Sequence, residues 1–193
     1  MSLDLPGFAD PVLDAQRCFR AVLDAMSRPG TIAAAGEGLA PPAPLAPAAA
    51  AVLLTLVDPE TSLFIDPAAE TAADWIGFHC GAPRVPAPRD AAFALGLSSP
   101  PALADLDPGT HEAPESSATL ILQVHALGEG AAFTLSGPGI DGSATLRVMG
   151  LPAGFAAAWA ANHAAFPCGV DLILCAGTRL AALPRSLHIE EAR

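Results

Sequence analysis

The chain has no lysine and no tyrosine, and charged residues make up only 15% of its 193 positions. Without lysine no internal Schiff base can form, which excludes lysine-anchored pyridoxal chemistry and a Walker-type phosphate loop alike. All nine basic residues are arginine, against 20 acidic ones, for a formal charge of −11. That balance leaves no basic footprint for nucleic acid and no polybasic segment for anionic lipid. The four cysteines, Cys18, Cys80, Cys168 and Cys175, form no CxxC and match no zinc spacing, so no metal site and no disulfide framework is expected. No GxSxG, HExxH or EF-hand loop occurs.

Long apolar runs are also missing. The charge-free stretches 38–57 and 148–170 are interrupted by prolines, and the second also by Asn162 and His163. Neither offers the ~20 strongly apolar residues that a membrane span needs. The opening MSLDLPGFADP has neither a basic nor an apolar secretory region, so a reducing cytoplasm is the expected compartment. What is abundant is apolar residue, 52% of the chain, which rules out global disorder. So little charge over one domain-sized chain also points to association, because excess apolar surface marks an interface.

The pattern reads as α/β with a mixed sheet. Asp10 and Pro11 open a helix, and Ala15, Phe19, Val22, Leu23 and Met26 fall on one stripe expected to face the core. A short strand over 31–33 follows. The stretch 36–47 (GEGLAPPAPLAP) is a proline-rich loop within a single domain, not a boundary. Further helices are expected over about 47–57, 67–78 and 152–164. Strands are expected over 62–65, 92–97, 118–126, 170–175 and 179–183, with a hairpin of 132–136 and 144–148.

Several constellations could carry chemistry. Gly137, Gly139 and Gly142 spell GxGxxG, but the next segment reads as a strand, so a hairpin turn explains it better than a dinucleotide loop. His79 and Cys80 are adjacent and cannot face each other on a helix, which favours a capping or core histidine. His111, Glu112 and Glu115 share a loop and could meet as acid and base. Asp171 opens an apolar strand, either bound to backbone N–H groups or near a site. In so acidic a chain, an anion would need local arginines. Arg28, Arg84, Arg147 and Arg185 are the candidates, with a helix-terminal cation or surface ion pairs as the alternative roles.

Seven blocks carry a resemblance. They are FRAVLDAMSRPG (19–30), VLLTLVD (52–58), FHCGAP (78–83), ATLILQV (118–124), LSGPGI (135–140), FPCGVDLIL (166–174) and LPRSLHIE (183–190). In this order, over about residues 8–190, the chain resembles the PhnH family, a component of the bacterial carbon–phosphorus lyase core complex of phosphonate utilisation. Cys80 stands where threonine, and Cys168 where a larger apolar residue, would be expected, so neither is expected to be essential. The resemblance implies a three-layer α/β sandwich with a mixed sheet, like the large domain of pyridoxal-phosphate transferases but without the cofactor. It implies a homodimer, or a place beside the G, I and J subunits of the carbon–phosphorus lyase. The implied activity belongs to the assembly: methylphosphonate displaces adenine from ATP, giving ribose 1-methylphosphonate 5-triphosphate. The resemblance assigns the glycosyl chemistry to the I-type partner and an iron–sulfur radical step to the J-type partner. It gives the PhnH component no catalytic residue.

Two readings follow. One is an accessory subunit without its own cofactor. The other is an enzyme with an anion-binding cleft lined by Arg28, His79 and Arg185. A free-standing hydrolase-like enzyme is disfavoured by the missing nucleophile motif.

Overall fold

The computed structural model describes residues 5–192. Helix α1 (Pro11–Ser27) begins as its sequence dictates: Asp10 Oδ1 accepts from the N–H groups of Val12 at 3.2 Å and Leu13 at 3.0 Å, and Pro11 takes the first position. The chain continues through β1 (Ala33–Ala34), α2 (Pro47–Leu56), β2 (Leu63–Ile65), α3 (Glu70–Cys80), β3 (Phe93–Gly96) and β4 (Thr119–Gln123). Then come β5 (Ala126–Ser136), β6 (Ala144–Met149), α4 (Phe155–Ala164), β7 (Asp171–Ala176), β8 (Arg179–Leu183) and β9 (His188–Glu191). No helix among the described residues is long and apolar enough to cross a membrane.

The main sheet has six strands in the order β1-β8-β7-β4-β3-β2. Strands β2, β3, β4 and β7 are mutually parallel, while β8 runs antiparallel to both β7 and β1. It is thus the mixed sheet of an α/β fold. The hairpin β5–β6 does not join it. With β9, which pairs His188–Glu191 against Phe133–Ser136, it makes a separate three-stranded antiparallel sheet. Strand β9 is apolar at only one position, Ile189, so no alternation in the sequence announced it.

Successive residues of the main sheet alternate between two cores, as a pleat requires. Leu63, Ile65, Leu95, Ile121, Ile173 and Cys175 pack under α1, α2 and α3. Leu120, Leu122, Leu172 and Leu174 face the small sheet and α4, where Phe155 and Trp159 close the second core. Helix α2 lies between α1 and α3, and Ala48–Leu53 are all fully buried. A helix apolar all round is one covered all round.

The stripe on α1 departs from expectation. The residues turned inward are Cys18, Val22 and Ala25, while Phe19 and Leu23 are 50% and 55% exposed. With Val12 they form an outward apolar row. The reason is steric: α1 packs on α2 and β8, whose facing residues are largely alanine and leucine. Small Cys18 and Ala25 allow that close approach, so the bulky residues turn out.

Asp66, at the carboxyl end of β2, is wholly buried. Its Oδ1 accepts from Ala68 N–H at 2.9 Å, and Oδ2 from Leu97 N–H at 2.8 Å and Ser99 N–H at 3.0 Å. One carboxylate thereby fixes both the turn into α3 and the exit of β3. Asp66→Asn would place an amide donor among those N–H groups and lower stability by about 3 kcal/mol, read as the shift in a urea unfolding midpoint.

Candidate functional site

The three candidate anion ligands sit on different parts of the chain. Arg28 caps the end of α1, where its Nη2 lies 2.9 Å from Asp24 Oδ1. Both side chains are more than half exposed, so this is a surface pair. His79, at the end of α3, is half-buried with Nε2 at 3.2 Å from Leu5 O, which also accepts from Trp75 Nε1 at 2.8 Å. Its ring tilts on Trp75 and meets the edge of Phe78. His79 therefore pins the incoming chain segment onto α3.

Arg185 is the most committed of the three. Its Nη2 is 2.5 Å from Asp171 Oδ2 and its Nε 3.2 Å from Asp171 Oδ1, which also accepts from the Arg185 backbone N–H at 2.8 Å. The remaining arm of the fork, Nη1, donates to Pro114 O at 2.6 Å. Asp171 opens β7, so its carboxylate is the strand-end kind, held by a backbone N–H and a guanidinium. Both side chains are mostly buried. The pair ties β7, the turn after β8 and the 107–116 loop together.

The two further candidates, Arg84 and Arg147, are also engaged. Arg84 forms a forked pair with Glu70, one arm at 2.9 Å. That hydrogen bond holds the Glu70 carboxyl below its ordinary range and raises the Arg84 guanidinium. Arg147 Nη1 donates to Gly130 O at 3.3 Å. The GPGIDG segment is the β5–β6 turn. At Gly139, where φ is +83°, a Cβ would stand 2.2 Å from Ser27 O, so the glycine serves close packing on the end of α1.

His111 does not meet Glu112 or Glu115 in any hydrogen bond; its partner is Cys168. His163 Nδ1 lies 3.1 Å from Arg185 O, and the rings of His163 and His188 are 3.8 Å apart. Among the described residues, no group of three or more His, Cys, Asp or Glu could hold a metal. Burial raises the Cys18 and Cys175 thiols and pushes Cys80 up to about 12.

Arg28, His79 and Arg185 line none of five surface clefts, of 100 to 370 Å³. One cleft, of about 230 Å³, lies at the carboxyl ends of β3 and β4, where parallel sheets commonly receive ligands. Leu97, Ser98, Gln123 and His125 line it. The Gln123 amide is already engaged, donating to Pro44 O at 2.9 Å and accepting from Ala46 N–H at 2.7 Å. Sequence patterning did not single out this edge. Its signal was the pair of polar residues, Gln123 and His125, ending the apolar run ATLILQVHA.

Fold and polar inventory together define an α/β domain in which Arg17, Arg28, Arg84, Arg147 and Arg185 are bound to the chain's own carboxylates and carbonyls. The chain belongs to the family of the bacterial phosphonate metabolism protein (PhnH), whose profile matches residues 6–190. It is 42% identical over 188 residues to the alpha-D-ribose 1-methylphosphonate 5-triphosphate synthase subunit PhnH of Rhizobium meliloti (strain 1021), covering 95% of this chain and 94% of that one. A protein of Stutzerimonas stutzeri that bears the name putative C-P lyase subunit protein HtxG is 35% identical over 179 residues, covering 90% of this chain and 85% of its own.

The two arginines should separate in stability. Arg185→Ala strands Asp171 in a mostly buried setting and costs about 3 kcal/mol, whereas Arg28→Ala stays within about 0.5 kcal/mol, both read by urea unfolding.

Proposed function

We propose that this chain is an accessory subunit of a carbon–phosphorus lyase core complex. In that complex it supports formation of alpha-D-ribose 1-methylphosphonate 5-triphosphate from ATP and methylphosphonate, beside subunits of the G, I and J types. The observation that carries the reading is the match to the Rhizobium meliloti synthase subunit over nearly the whole of both chains. A match that runs end to end, and not through one shared motif, supports kinship of the whole subunit.

Two features of the fold support it. Arg28 and Arg185 have partners in their own chain. The row Val12, Phe19 and Leu23 on α1 lies uncovered, as a subunit's docking helix would. On this reading the chain is one domain over 1–193 with 36–47 as a loop, works in the cytoplasm, and pairs as a homodimer when isolated. Its mixed sheet is then a relative of the large domain of pyridoxal-phosphate transferases that has given up the lysine and the cofactor.

The alternative gives the chain an anion site of its own at Arg28, His79 and Arg185. What favours it is the exposed guanidinium of Arg28. Substitution tells the two apart in a host that uses methylphosphonate. Phe19→Ser with Leu23→Ser should reduce co-purifying partner subunits by about tenfold or more while the purified chain keeps its unfolding midpoint. Arg28→Ala should leave both assembly and phosphonate growth intact. Lost growth with an intact complex in Arg28→Ala would favour the anion site instead.

A further inference from the structure

Three contacts fasten the 107–116 loop onto the start of β7 and the turn after β8. Pro108 O accepts from Gly169 N–H at 2.8 Å, and Pro114 O from Arg185 Nη1 at 2.6 Å. The third joins two side chains: Cys168 Sγ lies 3.7 Å from His111 Nδ1. Among the described residues no other thiol is hydrogen-bonded to an imidazole; Cys18 has the Thr55 hydroxyl beside it. Cys18, Cys80 and Cys175 lie in the helix-side core, where burial raises all three and disfavours their thiolates. Cys168 lies outside that core, and His111 is exposed to solvent. With its own proton on Nε2, the imidazole presents Nδ1 as the acceptor for the thiol proton.

We propose that Cys168 and His111 form a thiol–imidazole pair that makes Cys168 the chain's site of oxidation by small hydroperoxides. Cys168 and Cys80 are each 6% exposed, so exposure does not set them apart; the imidazole beside Cys168 does. In the step, His111 Nδ1 takes the thiol proton and the sulfur attacks one peroxide oxygen. The S–O bond forms as the O–O bond breaks. The departing oxygen leaves as water or an alcohol, carrying the proton from His111. Sulfur loses two electrons to the peroxide, and the product is a sulfenic acid. The added oxygen stands where the loop meets β7, next to the Gly169 tether, so oxidation loosens 107–116.

The test treats the purified chain with hydrogen peroxide and dimedone and maps adducts by peptide mass spectrometry. The adduct should form on Cys168 about tenfold or more ahead of the other three cysteines, and about tenfold more slowly in His111→Asn. Oxidised wild type, but not oxidised Cys168→Ser, should gain protease cleavage within 107–116. First labelling of Cys18, Cys80 or Cys175, no label on Cys168, or an undiminished rate in His111→Asn overturns the pair. Should His111→Asn fail to fold, the order of labelling among the four cysteines of the unaltered chain decides alone.

Discussion

Along β7, Leu172 and Leu174 point to one face of the main sheet and Ile173 and Cys175 to the other. All four are buried, and the remaining architecture follows from the need to cover both faces. Three helices cover one face, and α4 with the small sheet covers the other. The cover on the first face must be thin where α2 sits between its neighbours, which is why that helix is a run of alanines. With both faces closed, charge can reach the sheet only at the strand ends. There Asp66 collects three backbone N–H groups at the carboxyl end of β2. Asp171 collects a backbone N–H and a guanidinium at the amino end of β7. Each carboxylate locks a chain reversal that the sheet alone would not specify.

This division explains which parts of the molecule can be read from its residues. The start of α1 is legible because an Asp-Pro cap is a local device. The strands over 63–65, 93–96, 119–123, 171–176 and 179–183 are legible because doubly buried strands are short apolar runs with turn residues on both sides. The inward face of α1 is not, because Phe19 and Leu23 are as apolar as Val22, and only the closeness of α2 decides between them. The partner of the hairpin is not legible either, since β9 is polar at three of its four positions and is held by register with β5.

The candidate site was less legible than the fold. Arg28, His79 and Arg185 share the chemistry of an anion site, but residue type alone does not say what each side chain is bonded to. Their partners turn out to be Asp24, Leu5 O and Asp171, contacts set by the helix ends and by the return of the chain after β8. Family kinship was legible for a different reason: it is carried by strings of residues in order, and these survive whatever their side chains contact. Arg185 is turned inward to hold the fold, Arg28 is paired at the surface, and an apolar row on α1 is turned outward. On the proposed reading, the anionic reactants are handled by the assembly.

The most direct measurement is the native mass of whatever accompanies this chain when a tagged copy is purified from its own host, grown with methylphosphonate as sole phosphorus source. The account predicts one assembly containing G-, I- and J-type subunits in fixed ratio with this chain. Recovery of this chain alone, as monomer or dimer, from cells that are consuming methylphosphonate would contradict it.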